Sequence, residues 1–376
     1  MNLNFDVEPA HEVLINRRIK IRKKPAYSAR KTSDVNDDLQ RFFVSKEPGS
    51  TVGGVQRMGG GASKEQFLFT LAKDDDEPVK YVLRMDPQCA ITETDRRREF
   101  EILEAMQGVV PVPEPVWIDE HGDTFGQPAI IMKFVGGVTK PSDSDLKVSG
   151  LGTYLGEWLR EKLKGQFLDC LVAVHGVDLD SVNLPGFQIP NSDPYQAARW
   201  SLNYWNALWD IDSVEERPIF SYARQWLQDN LPACEELVIT HGDYRTGNYL
   251  FDEDSGKITS VLDWEFARIG DFHEDLSWVL MQVFGTNENG VFRASDLYAR
   301  AEFIEAYEKT TGRTVNLETL HFYDVLASYK CYIIVNANGL AAARAEHNHQ
   351  DVLLTFLSST QSMFCDDLCR LLSKGN

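Results

Sequence analysis

No stretch of this sequence runs to about eighteen apolar residues, so nothing in it offers a helix that spans a bilayer. Its first residues, MNLNFDVEPAHEVL, have no basic segment followed by an apolar one, which argues against export. Cysteine is sparse: the six residues at 89, 170, 234, 331, 365 and 369 follow neither zinc-ligand nor disulfide-framework spacing and read as reduced thiols. These absences lead to the expectation of a cytoplasmic protein. Internal repeats and low-complexity tracts are lacking too. Positive charge is in deficit: 38 Lys and Arg against 57 Asp and Glu leave a formal charge of -19, which argues against nucleic acid as a partner. An acid excess suits a cationic substrate, but it serves equally as a solubility device. The deficit is uneven. Arg17, Arg18, Lys20, Arg22, Lys23, Lys24, Arg30 and Lys31 gather ahead of the acidic body; such an arm can contact nucleic acid or a membrane, but it equally suits a solvated arm or one that docks on its own or a neighbouring acidic surface.

What the chain does have, at 376 residues and 43% hydrophobic content, is apolar side chain enough for one large two-lobed domain or for two domains. Its most informative stretch runs from 238 to 280. A short β-branched run at 237–240 stops at the polar loop 241–248. A second run at 249–251 follows, then an acidic turn with Gly256, then a third run at 258–262. That pattern is strand, turn, strand, with His241, Asp243, Arg245, Asn248, Asp263 and Glu265 gathered at the strand ends. Turns favour Asp, Asn and Gly for local reasons, but a mere turn needs no such set. Phosphoryl transfer does need it: a carboxylate to face the attacking hydroxyl, and oxygen ligands to hold magnesium against nucleotide phosphates. Asp243 supplies the first. The amide oxygen of Asn248, five residues on, and the carboxylate of Asp263, returned by the hairpin, supply the second.

Upstream, residues 51–71 read as strand, Gly-rich turn, strand. Gly59, Gly60 and Gly61 permit close approach of backbone amides to a phosphate, with Ser63 and Lys64 as further donors, although hairpins also use glycine for geometry alone. Ser33 reads as the cap of a short helix over 34–43, residues 79–85 as a strand, and 94–107 as a helix with Phe100 and Leu103 on one face. Residues 111–120 read as a proline-broken connection and 128–137 as a strand ending in glycines. Beyond lie a long helix over 155–175, an aromatic span holding Tyr195, Trp200, Tyr204, Trp205 and Trp209, and a final third, from Phe292 to Leu372, that is helical by pattern.

HGDYRTGNYLFD followed by LDWEFARIGDFHEDLSW resembles the paired catalytic and metal-binding motifs of the aminoglycoside phosphotransferase and choline kinase superfamily, within the protein-kinase-like fold. The branch it is most similar to in style is the broad aminoglycoside phosphotransferase-like group, related to the kinase-like domain of some acyl-CoA dehydrogenases. The resemblance covers residues 35–345. It implies an α+β fold of two lobes, a small antiparallel sheet with a helix and a mainly helical C-lobe, divided as a basic arm at 1–34, an N-lobe at 35–136 and a C-lobe at 137–376.

The resemblance also implies roles. Gly60, Gly61 and Ser63 belong to the nucleotide-covering loop. Arg84 takes the phosphate-gripping place where kinases usually carry Lys, a departure that keeps the charge but alters the reach. Glu99, or alternatively Glu101, is its acid partner. Lys133, Phe134 and Val135 form the hinge whose backbone holds a purine edge. Asp243 is the catalytic carboxylate, Asn248 and Asp263 are the magnesium ligands, and Arg245 either neutralises the moving phosphoryl or pairs with an acid. His241 braces the loop, Glu265 helps to position metal or loop, Asp271 and Asp275 anchor backbone amides and helix starts, and His175 is structural. The aromatic span 195–209 is core or an overhang of the acceptor site.

The expected function is a magnesium-dependent kinase that moves the γ-phosphoryl of ATP, or GTP, to a hydroxyl of a small metabolite or aminoglycoside-like acceptor. The competing reading, drawn from Arg84 and the basic arm, is a catalytically silent pseudokinase that senses a nucleotide or binds a partner. Neither a nucleic acid nor a membrane is expected as a partner, and monomer and homodimer stay open.

Overall fold

The computed structural model of the chain describes residues 5–21, 29–59, 64–73, 76–87, 90–146, 149–215, 217–344, 355 and 357–373. The chain opens with helices α1 (Pro9–Ile21) and α2 (Thr32–Lys46). It continues into β1 (Ser50–Arg57), β2 (Glu65–Lys73), β3 (Val79–Met85), α3 (Arg96–Ala105), β4 (Pro115–Asp119) and β5 (Ala129–Lys133). The five strands form one antiparallel sheet in the order β1-β2-β3-β5-β4. Along β2, alternate side chains Phe67, Phe69 and Leu71 point inward, as the two-residue period of a strand requires, and meet Val35, Leu39, Phe42 and Phe43 of α2. β3 lies in the middle of the sheet and is buried from Tyr81 to Met85, so Arg84 is a charge carried on a covered strand.

Three local expectations give way here. α2 starts at Thr32 after Lys31, and Ser33 does not cap it: its hydroxyl donates to Asp34 Oδ1 at 3.1 Å. The stripe packed on the sheet then carries the helix past 43 to Lys46. α3 starts at Arg96 because Asp95 caps it, accepting from the N–H groups of Arg97 and Arg98. Residues 115–119 are the edge strand β4 and not a mere connection. Pro115 opens that edge, where a missing N–H costs no ladder bond.

The larger lobe holds α4 (Gly156–His175), α5 (Gln196–Asp212), α6 (Pro218–Asp229), the short strands β6 (Leu237–Thr240), β7 (Tyr249–Asp252), β8 (Lys257–Val261) and β9 (Arg268–Asp271), and α7 (His273–Val279). A hairpin, β10 (Thr286–Glu288) with β11 (Val291–Arg293), follows, then α8 (Arg300–Thr311), α9 (Leu317–Tyr332), a π-helical turn (Ile333–Asn338), α10 (Gly339–Arg344) and α11 (Gln361–Leu372). Phe292 therefore lies in a strand and not in a helix. Asn289 and Gly290 both take positive φ, 53° and 80°, the Asn-Gly turn whose twist suits a two-residue hairpin.

One apolar core runs from Val82, Ile102, Ile130 and Met132 of the small lobe to Leu163, Phe167 and Leu171 of α4 and on to Val238, Ile239 and Tyr249. A second unites α5, α6, α9 and α11, and includes Ile15 of α1. The arm thus begins as a helix that touches both lobes. Arg18 donates to Asp212 of α5 at 2.6 Å and to Glu93, just before α3, at 3.2 Å, and all three are buried. Glu8 pairs with Arg98 of α3 at 2.5 Å, while the His11 ring stacks on Tyr204 at 4.3 Å. Among the described residues, no helix is long and apolar enough to cross a membrane.

Candidate active site

β6 pairs with β9 from Leu237↔Asp271 to Thr240↔Arg268, so the loop after β6 and the turn before β9 emerge side by side. The loop 241–248 is anchored from below by Asp275 of α7. Its oxygens accept from the N–H groups of His241 and Gly242 at 2.7 and 2.8 Å. The remaining support of Asp275 is the His175 ring at 3.1 Å, which in turn meets the Tyr307 hydroxyl at 2.9 Å. Burial alone would raise the Asp275 carboxyl, but the hydrogen bond and charge of His175 outweigh it and hold its pKa low. Asp275 therefore stays ionised, as the acceptor of two backbone amides should.

His241 faces the other way. Its Nε2 lies 2.9 Å from the Leu262 carbonyl, and its Nδ1 accepts the Asp243 N–H at 3.2 Å, so the proton sits on Nε2. Burial lowers its pKa, and the ring is a neutral brace between the loop and the hairpin.

The Asp243 carboxylate is held on both oxygens. Oδ1 accepts from Trp278 Nε1 at 2.6 Å and from Arg245 Nε at 2.9 Å; Oδ2 accepts from Asn248 Nδ2 at 2.7 Å. Arg245 pairs with an acid here, and its guanidinium also lies over the Phe284 ring, 4.7 Å from the centroid. Asn248 turns its Nδ2 to Asp243, which leaves its Oδ1 for another partner. Leu262 donates its N–H to the Asn248 carbonyl at 2.8 Å, and Asp263 is the next residue. The hairpin does return Asp263 beside Asn248. Asp263 has φ 62° and ψ 49°, a left-handed conformation that Asp tolerates better than most residues, and its side chain is 35% exposed.

From Asp263 a buried ionic network leads into the small lobe. Arg84 meets Asp263 at 2.6 Å, Glu265 at 3.2 Å and Glu99 at 3.4 Å. Burial opposes its charge, but the three carboxylates raise its pKa above the ordinary value and keep it a cation. Glu99 also pairs with Arg96, while Glu101 binds the Gly186 N–H at 2.8 Å. Of the two acids weighed as partners of Arg84, Glu99 is the one in contact. Lys64, fully buried, reaches Thr94 at 2.7 Å, Asp86 at 3.1 Å and Glu265 at 3.4 Å.

The other expected nucleotide residues divide. Gly60, Gly61 and Ser63 lie outside the described residues. Lys133 is exposed, pairs with Glu114 at 2.7 Å and sends its N–H to the Glu114 carbonyl; Phe134 sends its N–H to Lys80; Val135 lies past the last residue of β5. Sequence reasoning passed over Trp278, Lys330, Asp86 and Arg96. Lys330 left one visible sign, a lone charge in the apolar stretch SYKCYIIV. Behind the loop, a small cavity of about 30 Å³, roomy enough for water, is lined by His11, Arg98, Ser201, Glu274 and Lys330 among others. As for a metal, the groups around Asp263 are carboxylate and amide oxygens, hard donors that fit magnesium and not a softer ion. Among the described residues no cluster of three His, Cys, Asp or Glu forms a metal cage by itself.

Comparison with known proteins bears on this geometry. The chain is 24% identical to human acyl-CoA dehydrogenase family member 11 over 307 residues, 79% of this chain and 37% of that protein. It is 29% identical to mouse acyl-CoA dehydrogenase family member 10 over 185 residues, 48% of this chain and 16% of that protein. The chain thus spans little more than a third, or less, of these relatives' length. Among solved structures, a Ralstonia eutropha protein provisionally named an aminoglycoside phosphotransferase superposes with TM-score 0.64 at 20% identity, over 90% of this chain and 98% of that one. A thermostable mutant of the aminoglycoside phosphotransferase APH(4)-Ia, solved with ADP and hygromycin B, gives 0.56 at 16% identity, over 89% and 98%. At these identities the likeness shows a shared fold. The family model described as the phosphotransferase enzyme family, APH, matches residues 54–314, a span that holds Arg84, Glu99, Asp243, Asn248 and Asp263, and the chain belongs to that family.

Proposed function

We propose that this chain is a magnesium-dependent small-molecule kinase that transfers the γ-phosphoryl of ATP, or GTP, to a hydroxyl group of a small acceptor. The observation that carries the reading is the convergence of Asp243, Asn248 and Asp263 from a loop and a hairpin, with the Arg84–Glu99 pair facing them from the sheet. Asp243 points an anchored carboxylate at the acceptor hydroxyl and takes its proton. Arg84, which pairs with Asp263 and Glu99, offers a planar cationic fork to the phosphates, and Glu99 helps to hold it in place. The backbone of 133–135 holds the base edge. Asn248 Oδ1 and the Asp263 carboxylate would hold magnesium, which supplies charge neutralisation along the phosphates. Hygromycin B is bound by a fold relative, and it supports a polyhydroxylated acceptor as the class to screen first.

The test combines binding and turnover. ATP or GTP with magnesium, at about a hundred times its dissociation constant, stabilises the folded state by roughly 2.7 kcal/mol in a thermal-shift titration. Asp263→Ala loses the magnesium-dependent part of that shift. Asp243→Asn keeps the shift and abolishes turnover. Retained turnover in Asp243→Asn, or no shift with either nucleotide, overturns the reading.

A further inference from the structure

Trp278 and Lys330 come from different helices, and they converge on the loop that carries Asp243. Lys330 is buried in the middle of α9, with its ammonium 2.7 Å from the Gly242 carbonyl. Three aromatic faces enclose it: Trp278 at 3.9 Å, Phe266 at 4.9 Å and Trp205 at 5.4 Å from the ring centroids. Burial lowers its pKa, and the charges of Glu274, Asp243 and Asp275 oppose that only in part; the aromatic faces and the Gly242 carbonyl are its direct contacts. The Trp278 ring that receives this cation is the one whose N–H donates to Asp243 Oδ1. Gly242, whose carbonyl Lys330 holds, has φ +78°, and a Cβ there would stand 2.5 Å from the Phe266 carbonyl oxygen. The peptide before Asp243 is therefore fixed by a cation, and its carboxylate by an indole that the same cation faces.

We infer that Trp278 and Lys330 are positioning residues for Asp243, orienting its carboxylate so that Oδ2 is the atom that receives the acceptor's proton. The inference rests on the phosphotransferase reading above. Oδ1 accepts two hydrogen bonds, from Trp278 and Arg245, and its lone pairs are used. Oδ2 accepts one, from Asn248, and has a lone pair to spare. As the acceptor oxygen bonds to the γ-phosphorus, its proton passes to Oδ2. The bond from phosphorus to the β,γ-bridging oxygen breaks, and that electron pair leaves with the nucleoside diphosphate. A cation against an indole face draws electron density from the ring and makes its N–H a stronger donor, so Lys330 acts on Asp243 through Trp278.

The variant Trp278→Phe keeps a ring beneath Lys330 and removes the N–H; Lys330→Met removes the charge and keeps the length. With magnesium-ATP as substrate and water as acceptor, both are expected to lose kcat by about tenfold to a hundredfold, with the KM for ATP moved by less than about threefold. A residue that merely packs would leave kcat unchanged in every variant that melts as the wild type does, and unchanged kcat in folded Trp278→Phe overturns the inference. A second readout needs no turnover. In protein labelled with 15N-tryptophan, the indole N–H signal that disappears in Trp278→Phe is expected far downfield, and Asp243→Asn should move it upfield. A signal indifferent to Asp243→Asn overturns the inference even if Lys330→Met fails to fold. If the wild type does not hydrolyse ATP, the nucleotide thermal shift decides the phosphotransferase reading, and the indole signal by itself decides whether Trp278 holds Asp243.

Discussion

Gly150 shows how much of the site depends on an absent side chain. It has φ +82°, and a Cβ there would overlap the Arg245 guanidinium and the Thr246 carbonyl. Gly150→Ala should push Arg245 off Asp243 and lose most of kcat, while left-handed backbone in a residue with a Cβ costs about 1–2 kcal/mol of stability. Turnover assays beside urea melts of the same variant check both halves. The convergence of Asp243, Asn248 and Asp263 was legible in the sequence, because the chemistry fixes residue types at short spacings within one hairpin. The pairing of Arg84 with an acid came only through the family resemblance, which left Glu99 and Glu101 both open, because the sequence does not show which side of the helix meets the strand. Lys330 was not legible. Its partners come from positions 205, 242, 266 and 278, and no local pattern joins segments so far apart in the chain.

Helix α1 carries a titration of its own. Burial pushes the pKa of His11 down to about 3; Glu8 pulls it up, while Arg98 and Arg268 push it further down. An unfolded chain takes up that proton near pH ~6.5, so the folded state is favoured fully above 6.5 and loses this contribution as pH falls from 6.5 toward 3. Replacing His11 by Phe should therefore flatten the fall of Tm between pH 6.5 and 5 relative to wild type; parallel curves for the two proteins would show that His11 charges freely in the folded state. From sequence, the basic residues of this segment did not separate a docked arm from a solvated one. For Arg18 the docking partners are acids at 93 and 212, which periodicity cannot register, while Arg22, Lys23 and Lys24 lie outside the described residues. The hairpin β10–β11 was missed for another reason. It is only three residues a side, and its Asn-Gly turn was absorbed into the helical pattern that follows.

At the scale of the whole molecule, the two lobes are bound by the apolar core that crosses between them, by the ions around Arg84, and by α1. Arg18 ties the segment before α3 to α5, and Arg18→Met takes from the buried carboxylates of Glu93 and Asp212 the cation they share. Removing one partner of a buried pair costs about 3–5 kcal/mol, and the urea midpoint should fall accordingly in a single transition. An unchanged midpoint would mean that α1 contributes nothing to the joining of the lobes. The two-lobed architecture was legible because the strand-rich half and the helix-rich half are separated in the sequence. The strap across them was not, since α1 lies before residue 35, where the resemblance begins. One further property follows from the way the centre is built. Of the chain's eight tryptophans, Trp264 lies 4.5 Å from the His241 ring, and Trp205 and Trp278 face the Lys330 ammonium. In optical terms the reaction centre is lit from within: the indoles that hold it are also its chromophores, and their emission registers any rearrangement of the loop without an added label.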